Sequence, residues 1–166
     1  MEQYFLKLRP FSSTDQTRIL ETVTSTKVNQ TYMLPDFERI EDAIPLFERL
    51  SKLSNDHSRF VRCIDVDGRA VGFLNDVEIK DGSIELGYVI HPDFHNRGYM
   101  TQALKAAIEE LFTLNYERVV CGAFEENKAS QRVMEKAGMK KIEFTEIIEY
   151  RGLSHTCVYC EKRKEN

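Results

Sequence analysis

The chain has 166 residues, 42% of them apolar, and a formal net charge of −4. This length predicts a single domain over residues 1–166, with a core that buries about two-thirds of the unfolded surface. The absence of a dense basic block argues against nucleic acid as a partner, and no signal peptide or apolar run near about 18 residues occurs, so we expect a soluble, cytoplasmic protein without a membrane partner.

The first third of the chain predicts one strand and two helices. Tyr4–Leu8 alternates as a strand, and hydroxyl residues at 12–14 offer N-caps for a helix that runs to about Thr24. The segment that follows has no clear period. A second helix is expected from Glu41 or Asp42.

Three strands of a meander come next. Phe60–Val66 and Ala70–Ile79 are predicted strands, and the Asp67-Gly68 pair between them is typical of a type I′ turn. Residues 80–83 form a second turn into a strand that ends at Ile90, because a proline follows at position 92.

A loop over residues 91–98 leads from that strand into a long helix. The helix shows one unbroken apolar stripe at helical spacing: Met100, Ala103, Leu104, Ala107, Ile108, Leu111 and Phe112. The first N–H groups of a helix lack intrahelical acceptors and carry partial positive charge, so Gly98 and Arg97 could favour a phosphate there. The alternative is an ordinary connection with a glycine for the turn. Neither the P-loop pattern nor the three-glycine dinucleotide pattern is present.

The last third predicts a parallel strand, a helix and a hairpin. Arg118–Phe124 is a short apolar strand, and the strand–helix–strand order implies a parallel partner in the strand that ends at Ile90. A helix over 128–137 follows, and strands Lys141–Tyr150 and His155–Lys162 form the terminal pair. Cys157 and Cys160 lie in that last strand without a second cysteine pair, so we expect reduced thiols and no metal.

Two motifs resemble those of the GNAT family of N-acetyltransferases, most closely its RimJ/RimL branch. Residues 87–104 read GYVIHPDFHNRGYMTQAL and resemble the acetyl-CoA motif [QR]-x-x-G-x-[GA], with His95 at the Gln/Arg position and Met100 at the small position. Residues 127–139 read NKASQRVMEKAGM and resemble the second signature, N-x-x-S-x-x-[VL]-x-E-K-x-G-F. The resemblance extends from Tyr4 to about Lys162.

The resemblance implies a mixed α/β fold, with a central, mostly antiparallel sheet opened by one splayed parallel pair and helices on both faces. It implies an enzyme that transfers acetyl from acetyl-CoA to a primary amine, without a metal. The cofactor-binding residues that it implies lie on the end of one strand, in the loop and at the second helix: Tyr88, Val89, Ile90, His95, Asn96, Arg97, Gly98, Tyr99, Met100, Thr101, Asn127 and Ser130.

Three residues have two interpretations each. Ser130 either bonds its own helix backbone or faces the cofactor sulfur, where it becomes the better acid because Met134 replaces the tyrosine that many relatives carry. Asn127 is an N-cap, a ligand of the pantetheine, or both. Glu85 is either a solvated strand carboxylate or the base that deprotonates the amine through water, with the backbone N–H near Val89 as oxyanion donor.

The acceptor amine is not specified by the sequence. A protein N-terminus, as in the RimJ/RimL branch, competes with a small-molecule amine such as a polyamine or an aminoglycoside, and the negative net charge suits a cationic acceptor. A third possibility is an acyl-CoA-binding sensor without turnover. We expect a monomer or a homodimer.

Overall fold

A computed structural model describes residues 3–166, in which seven strands and five α-helices form. The strands are β1 (Leu6–Arg9), β2 (Val61–Val66), β3 (Arg69–Lys80), β4 (Ser83–Ile90), β5 (Arg118–Phe124), β6 (Lys140–Tyr150) and β7 (Leu153–Arg163). The helices are α1 (Gln16–Val23), α2 (Thr26–Asn29), α3 (Ile44–Leu53), α4 (Tyr99–Thr113) and α5 (Lys128–Lys136). None of these helices combines the length and apolar character needed to cross a membrane.

The strand order is β1-β2-β3-β4-β5-β7-β6. β4 and β5 form the parallel pair, and the register of their pairing covers Ser83–Leu86 against Arg118–Cys121. Both strands continue beyond that register, to Ile90 and Phe124. The antiparallel neighbours β1–β2, β2–β3, β5–β7 and β6–β7 complete the pattern. The prediction of a mostly antiparallel sheet with one parallel pair is therefore confirmed.

The described residues divide into two compact units, and the expectation of a single domain stays a prediction. The first unit contains the chain up to Asn75 and the stretch Tyr88–Ala103, and the second contains Asp76–Gly87 and Leu104–Asn166. In the first unit, α1 and α3 contribute apolar side chains that pack with those of β2 and β3 in one core: Ile19, Leu20, Val23, Phe47, Leu50, Val61, Cys63, Ala70 and Phe73.

Polar contacts fix the N-terminal part of the first unit. Ser12 caps a 3₁₀ turn over Ser13–Asp15, and its N–H donates in return to Asp15 at 2.7 Å, which completes a capping box. Arg9 donates to Asp15 and, at 2.6 Å, to Asp65 on β2. This network ties β1 to the start of α1 and to its neighbouring strand.

The chain enters α3 differently from the prediction. A 3₁₀ turn spans Ile40–Ala43 where the α-helix was expected, and α3 itself begins at Ile44. Pro45 in the first turn of α3 has no N–H to donate, so it is compatible with the helix start but not with a longer helix upstream.

The second unit contains a long hairpin against β5. β6 and β7 pair over most of their length, with a shift of register between Lys141 and Thr145. Val120, Phe124, Cys157 and Tyr159 form a small core there, against Ile142, Ile148 and Tyr150. The four cysteines of the chain are buried and free.

Candidate active site

The loop between β4 and α4, residues 91–98 (the β4–α4 loop), begins at a buried histidine. His91 is 7% exposed, and its Nδ1 accepts from the N–H of Asp93 while its Nε2 lies 3.1 Å from a carboxylate oxygen of Glu21 on α1. Since a carboxylate can only accept, Nε2 carries the proton and the ring is held in one tautomer. The hydrogen bond to Glu21 therefore holds the start of the loop against α1.

Phe94 anchors the middle of the loop. Its ring is 8% exposed and lies near the rings of His91 and Tyr99, with centroids 5.8 Å and 6.3 Å away. The guanidinium carbons of Arg18 and Arg97 lie 5.2 Å and 5.6 Å from the same ring centroid. Both arginines can therefore stabilise the loop through cation–π contacts while keeping their charge.

His95, at the motif's Gln/Arg position, folds back onto the strand end. Its Nε2 lies 2.9 Å from the carbonyl oxygen of Ile90, which can only accept, so Nε2 is the donor. Glutamine and arginine side chains also carry donors that a carbonyl can accept. The histidine therefore supplies a donor of the kind that the motif residue would supply.

The loop ends in a backbone cradle. Asn96 and Gly98 have φ of 62° and 78°, and a Cβ placed on Gly98 would meet nothing within 4 Å. The N–H of Gln102 bonds to the carbonyl of Gly98, so the N–H groups of residues 99–101 precede the first intrahelical donor. Tyr99 and Met100 bury their side chains to 7% exposure, so these residues offer backbone rather than side chain to a ligand.

Gly72 was not anticipated as a site residue. A Cβ on Gly72 would lie 2.2 Å from the carbonyl oxygen of Val89 and 2.9 Å from Cα of Ile90, so β3 and the end of β4 approach each other at this point as only glycine allows. A hydrogen bond from the N–H of His91 to the carbonyl of Val71 fixes the same place. A single glycine inside a predicted strand was the available signal.

In the second unit, residues 125–130 (the β5–α5 segment) are held by side-chain bonds. Oδ1 of Asn127 accepts from the N–H of Ser130 at 3.2 Å, which confirms the N-cap of α5. Nε2 of Gln131 donates to the carbonyls of Phe124, Glu125 and Asn127. Ser130 is half-buried at the edge of the apolar stripe, and Met134 is fully buried within it.

Glu85 lines a cavity of about 340 Å³ on the second unit (the Glu85 cavity). Burial raises the pKa of the Glu85 carboxyl, and the nearby carboxylates of Glu78 and Glu146 raise it further. The hydroxyl of Tyr159 donates to Glu146, and the absence of a side chain at Gly122 makes room for the Tyr159 ring. The other lining residues are Lys80, Ser83, Arg118, Val120, Ile142 and Phe144.

The structure thus groups the predicted residues in each unit. Tyr88, Val89, Ile90 and the loop residues His95 to Thr101 belong to the first unit, whereas Glu85, Asn127 and Ser130 belong to the second. Within the second unit, Glu85 is opposite Val120 in the parallel register, four residues before the end of β5. Asn127 and Ser130 come three and six residues after that end.

Known proteins resemble both the sequence and the fold. The uncharacterized N-acetyltransferase YnaD of Bacillus subtilis strain 168 is 38% identical over 58 residues, which is 34% of each chain, so the match spans about a third of this curated relative. The structure of RimL, a ribosomal L7/L12 alpha-N-protein acetyltransferase, has a TM-score of 0.83 at 18% identity, covering 96% of this chain and 90% of the other.

A spermidine N-acetyltransferase from Vibrio cholerae, solved with CoA and spermine, has a TM-score of 0.79 at 18% identity and covers 95% of both chains. At these identities the solved structures establish the fold alone. The family model described as the acetyltransferase (GNAT) domain matches residues 6–140, most of the chain. The chain therefore belongs to the GNAT family of acetyltransferase domains.

Proposed function

We propose that this protein is an enzyme that transfers the acetyl group of acetyl-CoA to a primary amine. The observation that carries the proposal is the β4–α4 loop, where two left-handed residues, Asn96 and the open Gly98, lead into the first N–H groups of α4. Such a backbone cradle at a helix start suits a pyrophosphate, and it occurs in a chain of the GNAT family.

Acetyl-CoA would be held mainly by backbone groups. Residues 96–101 supply N–H groups for the pyrophosphate, with the charge of Arg97 nearby and His95 bracing the loop. The strand end at Tyr88, Val89 and Ile90 offers backbone groups for the pantetheine arm, as an added strand would use them. Oδ1 of Asn127 caps α5, and the rest of its side-chain amide can bond to the pantetheine arm.

The chemistry requires a neutral amine, a donor for the thioester oxygen and a proton for the departing sulfur. We assign the donor to the N–H of Val89, the strand residue whose carbonyl group lies against Gly72. We assign the acid to Ser130, because Met134 at the alternative place carries no proton to donate. Glu85 faces its cavity as a carboxylate that attracts or deprotonates a cationic acceptor.

The acceptor that we favour is the α-amino group of a protein N-terminus, such as that of a ribosomal protein. The motif resemblance to the RimJ/RimL branch supports this class. Enzymes for a protein N-terminus and for spermidine both share the fold, so a small polyamine is the alternative. Both are cationic, in keeping with a net charge of −4 and with a cavity in which three carboxylates, Glu78, Glu85 and Glu146, outnumber the two basic side chains.

Transfer can be tested directly with purified protein and acetyl-CoA. N-terminal peptides, polyamines and aminoglycosides would be compared as acceptors by following thiol release, with mass spectrometry of each product. We expect one class to be acetylated at its amine. Binding of acetyl-CoA by calorimetry without acetylation of any acceptor would refute the enzyme and leave an acyl-CoA-binding module.

A further inference from the structure

The end of β5 carries a histidine–carboxylate pair that the mechanism above does not use. Nδ1 of His155 on β7 is hydrogen-bonded to Oε1 of Glu126, the residue before Asn127. The His155 side chain is 15% exposed and that of Glu126 is 59% exposed. The imidazole is therefore mostly enclosed, while its carboxylate partner remains in contact with solvent.

Aromatic packing fixes the imidazole plane. The ring of His155 stacks on Phe124, with centroids 4.2 Å apart and planes 12° from parallel, and the ring of Tyr150 lies 6.4 Å away. The N–H of Glu125 donates to the carbonyl of Thr156 at 2.8 Å, which holds β7 against the β5–α5 segment. A ring held by stacking, by a carboxylate and by its backbone has little freedom to turn.

The pair determines which nitrogen is basic. A carboxylate only accepts hydrogen bonds, so Nδ1 of His155 bears the proton and Nε2 of the neutral ring keeps its lone pair. Within residues 3–166, Nε2 forms no hydrogen bond. Hydrogen bonds from the Glu126 backbone N–H and from His155 hold the pKa of the Glu126 carboxyl below its usual range, so Glu126 stays ionised at neutral pH.

The location of this pair favours it over Glu85 as a base. Glu85 is in register with Val120, four residues before Phe124, which corresponds to about 13 Å along the strand at about 3.3 Å per residue. His155, by contrast, lies against Phe124 itself and against the segment that carries Ser130, the assigned acid. A base and an acid for the same reaction must lie within reach of one substrate.

We propose that Nε2 of His155, oriented by Glu126, is the base that deprotonates the acceptor amine, directly or through one water. This rests on the proposed acetyl transfer. The ammonium gives one proton to Nε2, and its nitrogen then forms a C–N bond to the thioester carbonyl carbon. The C–S bond breaks, the sulfur departs as a thiolate and receives a second proton, which Ser130 relays from the nitrogen. His155 returns its proton to solvent, and Glu85 acts as an attracting charge.

Charged groups near His155 lie on the β5–α5 segment and in the turn between β6 and β7. Glu126 faces His155 from the β5–α5 segment, and Lys128 adds a positive charge beside Glu126. The guanidinium carbon of Arg151 lies over the ring of Tyr150, 5.3 Å from its centroid. On β6 its register partner is the apolar Ile148. A pH dependence that disappears with His155 therefore cannot be assigned to a carboxylate in direct contact other than Glu126.

The test compares His155→Gln, His155→Ala and Glu126→Gln with the parent and with His57→Gln, a matched change at an exposed histidine of the first unit. We expect His155→Gln to lower kcat about 100-fold or more, to remove one ascending limb of kcat against pH, and to leave acetyl-CoA affinity within about twofold. Added imidazole should restore part of the activity of His155→Ala. Glu126→Gln should lower kcat less, because an amide oxygen can still accept from Nδ1.

The outcomes separate the two proposals. If the parent acetylates an amine and both His155 variants keep kcat within twofold, the base assignment is wrong while the enzyme stands. A loss of kcat that imidazole does not relieve, with the pH limb retained and a lowered Tm, would mean a structural role for His155 and would also overturn it. If the parent binds acetyl-CoA and acetylates nothing, both proposals fail.

Discussion

The β4–α4 loop and the β5–α5 segment both lead from a strand into a helix, yet they prepare their helix starts in opposite ways. In the loop, the residue before α4 is Gly98, which has no side chain to cap the helix, and left-handed φ values at Asn96 and Gly98 shape the backbone around the first N–H groups. In the segment, Asn127 caps α5 through the N–H of Ser130, and Gln131 occupies three carbonyls.

This difference indicates how each region acts. The loop presents backbone, because the side chains of Phe94, Tyr99 and Met100 are buried beneath it. The segment presents side chains on a backbone in which the N–H of Ser130 is already capped and three carbonyls already accept from Gln131. The first region should therefore depend on glycine and tolerate changes of side chain, whereas the second should depend on single side-chain atoms.

The largest effect on the backbone region should come from Gly72→Ala. The new Cβ would meet backbone atoms of Val89 and Ile90, which cannot give way as a flexible side chain could. We expect the free energy of unfolding to fall by about 3 kcal/mol, measured by urea denaturation, and kcat to fall as the Val89 peptide moves.

Gly68→Ala is the control for Gly72→Ala. Gly68 has a φ of 86° but open space around its missing Cβ, so only backbone strain of about 1 kcal/mol is expected there. Equal losses from the two variants would show that the contact with Val89 is unimportant.

Ser130→Ala tests the side-chain region. If its hydroxyl protonates the leaving sulfur, kcat should fall about 10- to 1000-fold while acetyl-CoA affinity remains nearly unchanged, since proton transfer by a placed group contributes about 10²–10⁴. The cap by Asn127 uses only the backbone N–H of Ser130, so α5 should keep its stability. A kcat within twofold of the parent would mean that the Ser130 hydroxyl only bonds its own helix backbone.

Gly98→Val probes the cradle itself. The variant strains a φ of 78° and narrows the approach to the N–H groups of α4, so acetyl-CoA affinity should fall at least about tenfold, or about 1.4 kcal/mol. Arg97→Ala should lose less, because the backbone supplies most donors and Phe94 keeps Arg18 as a second cation. Calorimetry on both variants would measure this order, and the reverse order would contradict the comparison of the two regions.

Much of the fold follows from patterns that depend on local physics. β5 has the predicted bounds, and the I′ turn at Asp67-Gly68 has the two positive φ values that its sequence implies. The cap at Asn127 was also predictable, because a side-chain acceptor before a helix is a local feature. The predicted start of a helix was wrong where the local backbone takes another form, as at the 3₁₀ turn before Pro45.

Pairings between distant segments could not be predicted. The approach of Gly72 to Val89 depends on how β3 lies beside β4, and the contact of His155 with Glu126 joins residues 29 apart in sequence. In the sequence, His155 is only the first residue of the predicted last strand. A raised pKa at Glu85 could be expected from its partial burial on a strand, but the contributions of Glu78 on β3 and Glu146 on β6 depend on strand pairings and could not be predicted.

The smallest effect, and the sharpest division between the two candidate bases, should come from Glu85→Gln. If His155 is the base, removing the Glu85 charge should raise KM for a cationic acceptor a few-fold, with kcat kept and the effect weaker in high salt. Loss of kcat at neutral pH with KM unchanged would instead make Glu85 the base.

Stability against pH gives an independent check that Glu85 has the environment described. Because burial, Glu78 and Glu146 raise the pKa of Glu85 above 4.5, the folded state holds this proton more tightly than the unfolded chain, and stability falls as pH rises from about that value through the folded pKa. Glutamine mimics the protonated acid. The stability of Glu85→Gln relative to the parent should therefore increase with pH across that window, measured by urea denaturation at a series of pH values. A difference that does not vary with pH would mean that Glu85 is solvated in the folded protein.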